Sequence, residues 1–368
     1  MAENKLTAYE VEGDIDYQKI IKEFGAELVT PELLKKIKNP HVLLRRGYFF
    51  AHRDFDKVLH YYNSGHKFAI VSGRGPSAQM HLPHLLLYKF NKYLQDTFKC
   101  YYFFPFSDDE KYLFNPELGF EEVQALAYEN ALDVAALGFD PKITEFKFDT
   151  KHMSQELYNL AIKCAKRITS STVKAAFGFT DQKNIGISFY PAMQAAHILY
   201  PTVKYGLPSL VTVAIDQDVF IKLTRDVAGK LKLPKPACLL SKFVKDLSGG
   251  VKMSASKGEN AIFTTDTPEE VEKKVNRAFT GGKETIKLQK EKGGNPDVCS
   301  VYEYLRLFFI EEDKELENIT KECKSGSRTC GNCKAQLIKE INAFLKEHKK
   351  NREKAKAKLD LFFKEKGA

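Results

Sequence analysis

Two places in this chain combine residue types and spacing that could do chemistry. One is His81-Leu82-Pro83-His84; the other is Lys252-Met253-Ser254-Ala255-Ser256, preceded by Ser248-Gly249-Gly250. Two imidazoles three residues apart at a helix start lie on one face, where the helix N-terminus favours anions. A lysine among small residues in a flexible loop can swing onto a phosphate and offer backbone N–H groups. Either alone is weak, because paired histidines are more often surface or core groups and Lys-Ser loops are common. In this order, about 170 residues apart, they point together to a polyphosphate ligand.

The elements that must hold these residues read as α/β. Phe68-Ala69-Ile70-Val71-Ser72 is an apolar run, followed by the turn Gly73-Arg74-Gly75-Pro76-Ser77 and a helix-like stretch from His84 to Phe98. Strand, Gly-rich turn and helix open a βαβ unit. Cys100 to Phe104 is strand-like, and its aromatics read as a buried strand rather than a stacking platform. Residues 121–138 have helical spacing, Glu145-Phe146-Lys147-Phe148 alternates, 153–168 is helical, and Val-rich Leu210 to Ile215 runs into Asp216-Gln217-Asp218. This alternation predicts a Rossmann-like parallel sheet covered on both faces. The first 65 residues read as short helices and turns. From about residue 266 the strand signal stops and an all-helical part is predicted.

The 57 Lys and Arg against 48 Asp and Glu leave +9, a basic excess that permits nucleic acid without demanding it. Residues 341–368 carry nine basic and four acidic side chains, read as a solvated helix face or a phosphate-backbone contact surface. No apolar run is long enough for a membrane span, and the polar start shows no secretory signal. Cys100, Cys164 and Cys238 stand alone in apolar settings, so a reducing cytoplasm is the expected location. Cys323, Cys330 and Cys333 form C-x6-C-x2-C. Zinc wants four ligands; the next candidate, His348, is fifteen residues on, so plain thiols and no metal are expected. Asp108 and Asp109 could suggest acid–base or Mg²⁺ work, but read better as ordering the strand's exit beside Glu110.

The motifs taken in order resemble the class I aminoacyl-tRNA synthetases, specifically the eukaryotic and archaeal cytoplasmic type of tryptophanyl-tRNA synthetase. The matching pieces are Gly73-Arg74-Gly75-Pro76-Ser77, Asp108-Asp109-Glu110-Lys111-Tyr112, Phe177-Gly178-Phe179-Thr180-Asp181, Pro191-Ala192-Met193-Gln194-Ala195-Ala196, Ala214-Ile215-Asp216-Gln217-Asp218, Thr224-Arg225-Asp226, Pro234-Lys235-Pro236 and the Lys252 loop. The resemblance runs from about residue 14 nearly to the end. It implies an appended segment over 1–65, a catalytic domain over 66–265 and a helical anticodon-binding-like domain over 266–368. It also implies ATP with Mg²⁺ as the substrate complex, an amino acid and tRNA as further substrates, no structural metal, and a homodimer. By position, Arg74, His81 and His84 would touch phosphate, with Gly73 and Gly75 beside the nucleotide. Lys252, Ser254 and Ser256 would clamp the leaving pyrophosphate. Asp216 and Gln217 would meet ribose or the amino acid, and Glu110 and Gln194 would hold the amino acid's ammonium and carboxylate.

Three positions depart from that family. Pro83 stands where the family has a glycine on which adenine packs; it removes an N–H and adds a ring, though it suits a helix's first turn. Val71 and Pro105 stand where a Tyr and a Gln would bind the indole N–H, and neither side chain can accept a hydrogen bond. The aromatic Phe104 or Phe106 could close that pocket, and His197 replaces a family proline near it. Two readings follow: a tryptophan–tRNA ligase whose indole is read by unusual contacts, or a divergent homologue that binds RNA or protein without activating tryptophan.

Overall fold

The computed structural model describes residues 25–250 and 258–364 and, before them, Lys5, Leu6, Val11, Glu12, Tyr17 and Ile21. The chain forms two compact units. One holds residues 1–78, 87–242 and 354–368, the other 79–86 and 243–353.

In the first unit, β1 (Lys5–Leu6) and β2 (Val11–Glu12) make a small antiparallel pair. A seven-stranded sheet contains β3 (Glu27–Leu28), β4 (Phe49–Arg53), β5 (Ala69–Val71), β6 (Tyr101–Phe106), β7 (Thr144–Phe148), β8 (Ser209–Ala214) and β9 (Ala237–Ser241). Its order is β3-β4-β9-β8-β5-β6-β7. The five strands from β9 to β7 are parallel. β4 runs antiparallel to β3 and β9, so the expected parallel sheet is extended by an antiparallel edge. The reading of the first 65 residues as helices and turns missed β4. Its residues Phe49 to His52 are all buried, so no alternation marks it, and its partner β9 lies far along the chain.

From β5 the chain passes to β6 and β7 on one side, then crosses back to β8 and β9 on the other. The carboxyl ends of β5 and β8 therefore flank a topological switch point, where open α/β sheets bind ligands. The helix α1 (Leu82–Phe98) follows β5, α2 (Asp108–Phe114) and α3 (Phe120–Ala135) follow β6, and α4 (Ile185–Tyr205) precedes β8.

Side-chain alternation along β6 decides what faces the switch point. Phe104 packs on Tyr88 of α1 with ring centroids 5.0 Å apart, and Phe106 packs on Phe148 at 5.2 Å. Phe103 points the other way and lies 5.0 Å from Tyr200 of α4. Pro105 shares the face of Phe103, and Val71, in register with Phe103, shares it too. Phe104 and Phe106 therefore do not close the pocket beside Val71 and Pro105; they fill the core on the opposite face. The chain's end returns to this unit, where Phe362 stacks on Phe146 at 4.6 Å.

In the second unit, no strand follows β9 among the described residues, as the lost strand signal predicts. Its helices include Pro268–Arg277, started by a Thr267–Glu270 capping box, α5 (Ser300–Tyr304), α6 (Asp313–Ser325) and α7 (Cys330–Lys356). No described helix is long and apolar enough to cross a membrane.

Candidate active site

The Gly-rich turn extends the sheet rather than leaving it. Arg74 N–H donates to the Pro105 carbonyl at 3.1 Å, and Ser107 N–H donates to the Arg74 carbonyl at 2.9 Å. This ladder brings the turn so close to β6 that a Cβ on Gly73 would stand 2.9 Å from the Pro105 oxygen. One on Gly75 would stand 2.6 Å from Glu110 Oε2. Gly73 needs glycine for space, because a backbone oxygen cannot swing aside, whereas the neighbours of Gly75 are the ends of the Lys111 and Glu110 side chains, which can shift. The Arg74 guanidinium donates to Asn130 Oδ1 at 2.8 Å and to the Ala78 carbonyl. Glu110, buried in the first turn of α2, pairs with Lys111 at 3.0 Å.

On the face shared by Val71 and Pro105, α4 presents Tyr190, Gln194 and His197. The Tyr190 hydroxyl donates to Gln194 Oε1 at 2.8 Å and lies 3.3 Å from the Ser107 hydroxyl. His197 Nε2 is 2.9 Å from Asp149 Oδ1, with both side chains buried. Burial pushes Asp109 up to about 8, helped by the Asp149 carboxyl beside it, and pushes Asp149 well above the usual carboxylate range. Burial also pulls His197 down to about 4, so the ring is neutral at physiological pH. Asp149 Oδ2 and His197 Nδ1 are buried without a hydrogen-bond partner. Asp108 has a different role: its carboxylate accepts Thr150 N–H at 3.0 Å and Thr150 Oγ1 at 2.6 Å, tying α2 to the segment after β7.

Asp216 is buried and Gln217 half-buried in a 3₁₀ turn directly after β8, at the sheet's carboxyl edge. Asp218 behind them holds Arg53 through two contacts of 2.9 and 2.7 Å. The first unit thus carries Val71, Gly73, Arg74, Gly75, Pro105, Glu110, Gln194, Asp216 and Gln217 around one switch point.

The second unit carries His81, Pro83 and His84. His84 Nδ1 accepts the His81 N–H at 3.3 Å and caps α1, and the two rings stack with centroids 3.6 Å apart. Pro83 sits in the first turn, where no intrahelical N–H is missed. His81 bridges to Phe263, and Leu82 N–H donates to the Ile262 carbonyl at 3.0 Å. Lys252, Ser254 and Ser256 lie outside the described residues. The two ends of their loop are joined: Leu247 N–H donates to the Asn260 carbonyl at 3.1 Å, and Asp246 Oδ1 accepts Gly250 N–H at 2.8 Å.

The family model for tRNA synthetases class I (W and Y) matches residues 63–346. The chain belongs to this family. It is 45% identical to a tryptophan–tRNA ligase of Pyrobaculum arsenaticum over 96% of both chains. It is 46% identical to the one of Pyrococcus abyssi over 97% of this chain and 93% of that one. Among solved structures it resembles tryptophanyl-tRNA synthetase from Plasmodium falciparum, with a TM-score of 0.89 and 36% identity over 95% of this chain and 97% of that one. The enzyme from Encephalitozoon cuniculi bound to tryptophan gives 0.87 and 32%, over 96% and 99%.

The family's motifs explain why most site positions were visible in the sequence. Asp149, Tyr190 and Ser107 were not: they come from β7, α4 and β6, and no spacing in the chain announces that these meet. His197 was noticed only as a departure, and the structure adds that it pairs with Asp149.

Proposed function

We propose that this chain activates tryptophan with ATP and transfers it to tRNA. The observation that carries this reading is identity of 45% over 96% of a tryptophan–tRNA ligase, and the first unit's Gly73–Gly75 and Asp216–Gln217 turns at the carboxyl edge of the sheet support it. In the first unit ATP, with Mg²⁺, lies against the Gly73–Gly75 turn with Asp216 on the ribose; by the family resemblance His81 and His84 of the second unit serve phosphate. The amino acid's carboxylate attacks the α-phosphate while Glu110 holds its ammonium and Gln194 and Gln217 fix its backbone. Lys252, Ser254 and Ser256 neutralise the departing pyrophosphate as their loop closes. The basic tail meets the tRNA backbone, and the active species is a cytoplasmic homodimer.

Val71 and Pro105 cannot receive the indole N–H, and we assign that role to Asp149 Oδ2. It is buried on the same sheet face, without a hydrogen-bond partner, and His197 holds its other oxygen. An unpaired buried donor costs about 1–3 kcal/mol, so this contact decides whether tryptophan is selected. The chain contains no Trp, so the emission of added tryptophan reports its binding directly. Titration is expected to change that emission. Asp149→Ala, folded by circular dichroism, is expected to weaken tryptophan binding about tenfold or more and leave ATP binding unchanged. Equal tryptophan affinity in the variant would remove Asp149 from the site. The absence of any emission change with the unaltered protein would favour the second reading, a homologue without tryptophan activation, which draws on Val71, Pro83 and Pro105.

A further inference from the structure

Residues 346–366 are rich in lysine, yet Leu359, Leu361, Phe362 and Phe363 cluster within them. Large apolar side chains in such a run call for something to cover. Leu359–Phe362 forms a 3₁₀ turn that belongs to the first unit, with Leu359 and Phe362 buried. Phe362 stacks on Phe146 of β7. Lys364 Nζ donates to the Pro141 and Leu361 carbonyls. The segment is thereby strapped along β7, the edge strand of the sheet.

Phe363 does more than anchor the strap. Its ring lies 5.0 Å from Phe148, the last residue of β7. It also stacks on His152, with centroids 4.4 Å apart and planes 26° from parallel. Phe148 and His152 touch as well, at 5.4 Å. These two residues bracket the turn Asp149–His152. His152 closes that turn: its Nδ1 accepts Phe148 N–H at 3.3 Å, and its carbonyl accepts a hydrogen bond from Lys147 Nζ at 3.2 Å. Burial and the Lys147 and Lys151 ammonium groups pull His152 down, so at neutral pH the ring is uncharged and Nδ1 stays an acceptor.

Asp149 opens this turn, and its backbone is held from both sides. On one side, Thr150 N–H donates to Asp108, and Gln124 Nε2 donates to Thr150 Oγ1 at 2.8 Å. On the other, the His152 ring folds back on Phe148 with Phe363 against it. The Asp149 side chain then meets His197 through Oδ1 and leaves Oδ2 buried without a hydrogen-bond partner. An N–H···O bond spans only about 2.7–3.2 Å, so a drift of about 1 Å in this turn would remove a bond from Oδ2 to a ligand.

We propose that Phe363 and His152 are positioning residues for Asp149: their ring stack locks the Asp149–His152 turn and sets where Oδ2 meets the ring N–H of tryptophan. The inference rests on Asp149 as the acceptor for that N–H. It gives the strap a part in substrate binding although none of its residues touches the substrate.

The test titrates full-length variants with tryptophan, read by its emission, and with ATP, read by calorimetry. Phe363→Ala and His152→Ala are expected to weaken tryptophan binding about fivefold and ATP binding by less than about twofold. Phe363→Tyr, which keeps the stacked ring, is expected to bind tryptophan like the unaltered chain. Phe363→Ala added to Asp149→Ala is expected to cost nothing further, because the group it positions is gone. If Phe363→Ala fails to fold, Phe363→Leu, which keeps apolar bulk without the aromatic stack, carries the same expectation. Equal weakening of both ligands, unaltered tryptophan binding in His152→Ala, loss of binding in Phe363→Tyr, or a further loss on top of Asp149→Ala would each overturn the inference alone. Unaltered tryptophan binding in Asp149→Ala would overturn the reading of Asp149 itself, and the inference with it.

Discussion

Gly73 and Asp109 show what a single residue controls in this site. A side chain at Gly73 would meet a backbone oxygen, which cannot swing aside. Gly73→Ala is therefore expected to destabilise the fold by about 1–3 kcal/mol and lower the melting temperature. Calorimetry checks it, and an unchanged melting point would contradict the close approach. Asp109 makes a pH prediction. In the fold it keeps its proton to about pH 8, whereas an unfolded Asp loses it near pH 4. Its contribution to stability is thus full below about pH 4 and is lost as pH rises toward 8. His197 runs the other way: its contribution is full above about pH 6.5 and is lost as pH falls toward 4. Asp109→Asn removes the first effect, so the melting temperature of the variant should gain on the unaltered protein between pH 5 and pH 8. A constant difference across that range would contradict the protonated acid. At this scale the sequence was legible where one motif carries its own partners, as Gly73 to Gly75 do with Glu110. It was silent on Asp149 and His197, whose meeting depends on β7 and α4 packing together.

The start of α1 and the loop around Lys252 are where elements carry the prediction. The helix start was legible because two histidines bracket a residue that suits a first turn. The structure adds that His84 caps the helix through His81, an arrangement Pro83 leaves intact. On the proposed function, Pro83 bears on the adenine surface rather than on the fold. Pro83→Gly is expected to tighten ATP binding severalfold with little change in melting temperature. Calorimetric titration of ATP measures it, and an unaltered affinity would remove Pro83 from the nucleotide site. The strand β4 was illegible for the opposite reason from α1. It has no turn chemistry of its own and is buried from Phe49 to His52, so its identity depends on pairing with β9.

Across the whole molecule, the order of motifs identified the family, and the sheet order shows why those motifs belong together. Strands β5 and β8, well apart in sequence, are neighbours, and their carboxyl ends hold the Gly73 turn and the Asp216 turn side by side. The departures at Val71 and Pro105 fall on one face of that sheet and leave the residues of the Gly73 and Asp216 turns themselves unchanged, so on the proposed function the family's chemistry and its specificity separate in this chain. The central claim is that the chemistry persists and that tryptophan is still the substrate. ATP–pyrophosphate exchange with each of the twenty amino acids in turn tests it most directly, because it needs no tRNA and engages nucleotide, phosphate and side-chain sites at once. Exchange that depends on tryptophan is the predicted result. Silence across the whole panel, from folded protein beside an active control synthetase, would contradict it.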